Sequence, residues 1–263
     1  MIMQERRNVF RKAAHSLVIM KIYIRESVKL VFHVFLSLKS GLRYFTRGMK
    51  YDKYCIKVNY YTRKKYVHFD ATKSSEEYQD KVYKGIQTFF KENNLSSVLD
   101  IGCGSGFKLM KYFSEYETTG LELPPALDEL KVNYPQRNWS ESNFNNPPQK
   151  YYDLVMSIDV IEHLLEPDVL MEFISKLNFK YIALGTPDRS KLPVFSKFGP
   201  PWNKHHIREW SRQEFVNYAG KYFNVILSEV VNGHEHFIVA EKINSPAYKV
   251  KCDLNMTELS FNY

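Results

Sequence analysis

Residues 98–108 read VLDIGCGSGFK, a run of strand-forming apolar residues that breaks directly into a glycine-dense turn. Val98, Leu99 and Ile101 suit a buried strand, and Gly102, Gly104 and Gly106 follow at once. Alternate glycines remove Cβ atoms where the chain swings from a strand into a helix, so a ligand can lie almost against the backbone. A nucleotide-type pocket is expected there. The dinucleotide fingerprint G-x-G-x-x-G would need its third glycine at position 107, which is Phe107. A nicotinamide dinucleotide therefore fails the spacing.

Outward from this stretch, apolar segments alternate with helical ones. Ser74, Ser75, Glu76 and Glu77 read as a helix start, with the helix running to about Asn93 and burying Tyr78, Val82, Ile86 and Phe89 or Phe90. Strands are expected at 97–101, 116–121, 137–140, 152–157 and 180–185 with helical segments between, an alternation that implies a parallel sheet. Two further strands, 223–231 and 236–241, flank an Asn232-Gly233 turn signal and should form a hairpin.

Asp100 stands two positions ahead of G-x-G-x-G, and Glu122 closes the strand-like run 118–121. YYDLVMSIDVIEHLLEPDVL at 151–170, YIALGTPDRSKL at 181–192 and GPPWNKHHIREWSRQEF at 199–215 follow in order. On these stretches the chain, from roughly 68 to 242, resembles the class I S-adenosylmethionine-dependent methyltransferases, in a subgroup often acting on small molecules, lipids and polysaccharides. The resemblance implies an α/β fold with a doubly wound, seven-stranded, mostly parallel sheet in which the C-terminal hairpin supplies the antiparallel strand. It also implies S-adenosylmethionine as cofactor. Gly102, Cys103, Gly104 and Gly106 would form the loop under its methionine part, with Asp100 steadying that loop or meeting the amino group. Glu122 would accept both ribose hydroxyls, which suits two acceptor oxygens and no donor. Leu123 would lie near the adenine edge. Asn143 and Phe144 would take the adenine-contacting position, where the family usually carries an acidic residue. Asp159, at the end of the fourth strand, would converge on the same pocket.

Methyl transfer from a sulfonium is an in-line displacement, so positioning and water exclusion are what the protein must supply. For a hydroxyl acceptor a histidine base would help. His163 is the first candidate, with Asp159 four positions earlier on the same face if a helix begins there. The plainer reading is that Glu162 and His163 orient the loop. His205, His206 and Glu209 form a second cluster in which His205 and Glu209 could face one way; His205 is the candidate substrate-facing residue. The cluster lacks the second histidine of a metalloprotease helix, so no metal site is assigned. His234 and His236 lie two apart and would point the same way on a strand, or be exposed at a hairpin edge.

The 263 residues suit one α/β domain with an appendage, and a hydrophobic share of 44% is enough for a core. The division expected is a basic helical leader and short hairpin (1–70), a methyltransferase domain (71–245) and a tail (246–263). The formal charge of +8 belongs to the leader: residues 1–70 hold 16 Lys and Arg against 4 Asp and Glu, net +12, and the remainder 21 against 25, net −4. A slightly acidic domain offers no large nucleic-acid surface, so nucleic acid is not the expected partner. In the leader, Lys21, Arg25, Lys29 and His33 form a polar stripe against a broad apolar face. Its longest uncharged run, 30–38, is far short of the about 20 residues that cross a bilayer. Residues 1–45 could lie on an anionic membrane surface or pack on the domain. Tyr54, Tyr60, Tyr61 and Tyr66, set among basic residues, suit stacking, a lipid interface or, most plainly, a solvated hairpin. Cys55, Cys103 and Cys252 show neither a disulfide framework nor a zinc pattern, which fits a reducing, cytoplasmic location, to which the leader could add peripheral membrane contact.

The activity expected is methyl transfer, O-methylation ahead of N- or C-methylation, to a small-molecule, lipid-linked or sugar acceptor. A non-catalytic membrane or partner adaptor retaining the fold, and an RNA methyltransferase recruited by the leader, are the alternatives.

Overall fold

The computed structural model describes residues 50–67, 79–142, 144–192 and 198–243, together with helical positions between 24 and 42. Seven strands form one sheet: β1 (Ser97–Ile101), β2 (Glu117–Glu122), β3 (Asn138–Glu141), β4 (Tyr151–Ile158), β5 (Asn178–Pro187), β6 (Phe223–Val231) and β7 (Glu235–Lys242). Their order is β3-β2-β1-β4-β5-β7-β6. β7 runs antiparallel to both β5 and β6, while the pairs from β3 to β5 are parallel. Besides the helical positions between 24 and 42, the α-helices among the described residues are α1 (Asp80–Glu92), α2 (Phe107–Phe113), α3 (Ala126–Asn133), α4 (Asp168–Lys176) and α5 (Arg212–Ala219). The expected doubly wound architecture is therefore present, and the C-terminal hairpin turns at Asn232 and Gly233, both at positive φ (51° and 76°).

Strand side chains alternate between faces, and the core divides accordingly. Leu99, Ile101, Val155 and Ile182 pack with Leu170, Phe173, Phe215 and Tyr218 from α4 and α5. Val98, Leu154, Met156 and Val239 pack on the other side with Ile86, Phe90, Leu109 and Phe113 from α1 and α2. Both faces are covered, which is why the central strands read as continuous apolar runs rather than alternating ones. Asp153 fixes the start of β4 against β1, accepting from Ser96 N (2.8 Å), Ser96 Oγ (2.6 Å) and Ser97 N (3.1 Å).

Several sequence expectations are corrected. α1 begins at Asp80, behind Gln79 in the left-handed region (φ 63°), and the expected start at Ser74 to Glu77, with Tyr78, lies outside the described residues. The stretch 51–67 is not a solvated hairpin: its ladder is a single bridge, Tyr51 to Lys57. Tyr54 and Tyr60 are buried in the core, each with a guanidinium 4.3 Å from its ring, that of Arg208 and of Arg189 respectively. Trp210 Nε1 donates to the Tyr54 carbonyl (3.0 Å) and Glu209 N to Tyr60 Oη (3.2 Å). Aromatic surface of this size is stabilised more by burial than by water, and the Tyr54 ring meets that of Tyr218 edge-on at 6.0 Å, a partner far away in sequence. Cys55 is disulfide-bonded, a pairing that depends on Cβ proximity in space and that linear spacing does not display. His234 is exposed in the hairpin turn while His236 is buried on β7, so the two do not share a site. Among the described residues no helix is long and apolar enough to cross a membrane.

Glu214 ties the N-terminal segment to the domain. Its Oε1 accepts from Lys57 N (3.0 Å), and its Oε2 accepts from Ser211 N (2.9 Å), closing a capping box at the start of α5. It also pairs with buried Arg189. Removing one member of a buried ion pair leaves the other uncompensated, so Glu214→Ala should cost about 3–5 kcal/mol in denaturant unfolding. A loss under about 1 kcal/mol would mean that Arg189 finds another partner.

Candidate active site

The turn after β1 places three glycines in the left-handed region: Gly102 (φ 76°), Gly104 (φ 58°) and Gly106 (φ 71°). A Cβ at Gly102 would come within 2.4 Å of Val160 Cγ2, so the backbone there is pressed against the turn after β4 as well as strained for an L side chain. The register brings the ends of β1, β2 and β4 level, since Asp100 pairs with both Gly120 and Met156. Strand order reverses between β1 and β4, the place where open α/β sheets bind ligands.

Glu122, at the last position of β2, bends back over this turn. Its Oε2 accepts from Gly104 N and its Oε1 from Leu123 N, both at 2.7 Å. Burial pushes its carboxyl above the usual range, while these two amides pull the other way. Asp100 is fully buried beneath the loop and accepts from Tyr83 Oη (3.1 Å). Burial raises its pKa to about 7, and the charge of Glu122 adds to that.

Above the strand ends lies a cavity of about 250 Å³. Of the expected cofactor residues, Gly102, Cys103, Gly104, Glu122, Leu123, Phe144 and Asp159 line it. Gly106 instead serves as the left-handed N-cap of α2, and Asp100 supports the wall through Tyr83. Asn143 lies outside the described residues. Leu123 is half exposed, and the Phe144 ring packs 5.3 Å from that of Phe173, so the two make an apolar rim. Gln79, Tyr83, Lys108 and Ser142 also line the cavity and were not anticipated. Gln79 Nε2 donates to Asp159 Oδ2 (2.7 Å), and Lys108 is buried, with burial lowering its pKa.

The second candidate group is arranged differently from the expectation. No α-helix begins at Asp159; its backbone is left-handed (φ 53°), and only a short 3-10 turn, Ile161–His163, follows. His163 does line the cavity, with its Nδ1 at 3.1 Å from the His205 carbonyl oxygen. Burial, then the neighbouring His206, lowers its pKa to about 4, which keeps the imidazole neutral near pH 7 and makes it a weak proton acceptor. His205 contributes that carbonyl, and its own ring turns to the Val67 carbonyl (3.3 Å) rather than to the cavity. The ring paired with Glu209 belongs to His206, whose Nδ1 lies 2.7 Å from Glu209 Oε1. Residues 205–209 are not helical, so the four-residue spacing carries no common face. Glu162 is fully buried, accepts from Thr186 Oγ1 (3.2 Å), and offers its carbonyl to Ile207 N (2.7 Å), so it also orients the loop.

Residues 74–219, more than half of the chain, match the sequence model of a family described as a methyltransferase domain. Solved structures with a similar fold include a protein of Pyrococcus horikoshii OT3, at TM-score 0.53 and 18% identity over 66% of this chain and 96% of that one. Magnesium protoporphyrin IX methyltransferase from Synechocystis PCC 6803, solved with bound SAH, is similar at TM-score 0.51 and 14% identity, covering 63% and 84%. A S-adenosylmethionine-dependent methyltransferase from Clostridium acetobutylicum ATCC 824 is similar at TM-score 0.51 and 13% identity, covering 64% and 93%. A comparison with curated proteins finds no match.

The raised pKa of Asp100 has a thermodynamic consequence. The folded chain keeps its proton up to about pH 7, whereas the unfolded chain releases it near its ordinary value, so stability is lost as pH rises through that window. The total is roughly 4 kcal/mol. Asp100→Asn, neutral in both states, should therefore raise the melting temperature of the ligand-free protein, and by more at pH 8 than at pH 5. An equal shift at both pH values would place the ionised carboxylate in the fold.

Proposed function

Because the chain belongs to the methyltransferase-domain family, we propose that it transfers a methyl group from S-adenosylmethionine to a hydroxyl oxygen of a small-molecule, sugar or lipid-linked acceptor. The observation that carries this reading is the Glu122 carboxylate, held over the left-handed glycine turn with its two oxygens at the cavity wall. Each oxygen already accepts one amide and keeps a second lone pair, which is the acceptor set that the two donating hydroxyls of a ribose diol require. The glycine turn leaves room for the methionine part beneath it, and the apolar rim of Leu123 and Phe144 suits a purine face. The residues present thus fit the cofactor. When bound, it would supply an electrophilic methyl on a positively charged sulfur.

The chain's own contribution is positioning and the exclusion of water, which together lower such a barrier by several kcal/mol. Asp159 and His163 stand at the turn after β4, on the same cavity as Glu122. Neutral His163 can accept a hydrogen bond from an acceptor hydroxyl and so orient it; its lowered pKa makes it an orienting group before it is a base. Thus the reading needs no covalent protein intermediate.

A membrane surface as the source of a lipid-linked acceptor is supported by the N-terminal helical positions. Val28, Val31, Phe35 and Leu38 are each at least 60% exposed, in a segment whose surrounding 70 residues carry a net charge of +12. An apolar helix face with basic flanks suits the interface of an anionic bilayer.

Isothermal titration should show binding of S-adenosylhomocysteine, and Glu122→Ala should weaken it by roughly ten-fold or more, the worth of one charge-assisted hydrogen bond. Unchanged affinity in that variant rules out this cofactor site. Labelled methyl groups should pass from the cofactor to an alkali-stable product in a fractionated extract, as an ether requires; an alkali-labile product would point to a carboxylate acceptor instead. The full chain should co-sediment with phosphatidylserine vesicles, and Val31→Asp with Phe35→Asp should abolish this.

A further inference from the structure

Behind the cavity wall, three potential ligand groups converge: Glu162 and His163 from the 3-10 turn after β4, and His206 from a loop some 40 positions later. One ligand atom from each lies within 4.8 Å of the other two. We propose that these three side chains form a site for a first-row divalent cation, which would bind an oxygen of the acceptor beside the cofactor cavity. The proposal rests on the cofactor reading above, since it assigns the acceptor side of that cavity.

Several independent features support a ligand here. Glu162 is fully buried and its Oε1 has no hydrogen-bond partner, although its other oxygen accepts from Thr186. A buried carboxylate oxygen left unsatisfied is costly unless something cationic meets it. That oxygen lies 4.0 Å from His206 Nε2, within reach of one shared ion.

Both imidazoles are also oriented from behind. The Nδ1 of His163 faces the His205 carbonyl and the Nδ1 of His206 faces the Glu209 carboxylate, so each carries its proton on Nδ1 and its lone pair on Nε2. This is the outer-shell pattern that fixes the tautomer of metal-bound histidines. Glu209 is itself buried, and its second oxygen makes no hydrogen bond. Asn203 Nδ2 lies 2.9 Å from His206 Nε2, so the cation would take the place of this amide, which sits on a half-buried loop residue.

Two imidazoles and one carboxylate suit a transition-metal divalent ion better than magnesium or calcium, which favour all-oxygen sets. His163 is the ligand that also lines the cavity, so an ion on its Nε2 would face the acceptor and hold its hydroxyl in place of the direct hydrogen bond to that nitrogen. Its chemistry would be that of a Lewis acid: it would hold an acceptor oxygen and acidify that hydroxyl, the proton passing to water. Acceptors with an oxygen available for coordination would be selected.

The test uses the full chain, freed of metal with a chelator and titrated with Co²⁺. The expected result is stoichiometric binding with a visible d–d band, abolished in Glu162→Gln and in His206→Gln. Glu209→Gln, a change in a positioning residue, should keep the band and weaken affinity about 10–100-fold. Should a variant fail to fold, the wild-type protein decides, because bound Cu²⁺ must show electron-spin coupling to two imidazole nitrogens. Absence of stoichiometric binding, coordination by oxygen alone, or binding indifferent to the substitutions overturns the site. Calorimetric titration of S-adenosylhomocysteine in the presence of chelator keeps the two readings separable: failure there sinks the cofactor assignment, whereas its success without Co²⁺ binding sinks only the cation.

Discussion

The hydrogen bond from the Gly104 amide to the Glu122 carboxylate joins the turn after β1 to the end of β2, and the geometry of the site depends on it. It can form only because Gly104 adopts a left-handed backbone and because β1 and β2 pair in a register that brings their carboxyl ends level. The same turn is held from its other side by the approach of Gly102 to Val160, which follows β4. Three strand ends are thus locked around one cavity, and the rest of the sheet keeps them there.

Burial sets the electrostatics of this region. Asp100, Glu122 and Glu162 are all shifted toward the protonated state by loss of water, and His163 toward the neutral state for the same reason. Elsewhere the fold pairs its buried charges, as Arg189 with Glu214. Around the cavity it leaves Glu162, Glu209 and Asp100 each with an oxygen that lacks a hydrogen-bond partner. Such groups weigh against stability, and Asp188, Arg189 and Arg208 carry buried atoms of the same kind away from the cavity.

The N-terminal stretch shows how the domain's limits follow packing rather than composition. Its tyrosines stand among lysines and arginines, which reads as surface, yet Tyr54 and Tyr60 are core residues held by Trp210, Arg208 and Arg189. A basic side chain beside a tyrosine in sequence is compatible with water and with a cation over a buried ring alike.

What the sequence determined by itself is what local spacing encodes. The alternation of strands with helical segments up to β5 implies parallel pairing, and the Asn232-Gly233 turn signal implies the antiparallel hairpin after it. The glycines mark the left-handed turn after β1, and the position of Glu122 at a strand end follows from counting along one strand. Tyr83 and Lys108 reach the cavity from helices whose patterns show only which face is buried, not what that face meets, and Gln79 reaches it from the left-handed position before α1. The exchange of His205 for His206 as the buried ring, and its meeting with Glu162 and His163, came from a non-helical segment that no periodicity describes. These were decided by tertiary structure alone, because contact between residues some 40 positions apart is fixed by strand register and by the burial of neighbouring apolar groups, neither of which leaves a mark on local spacing.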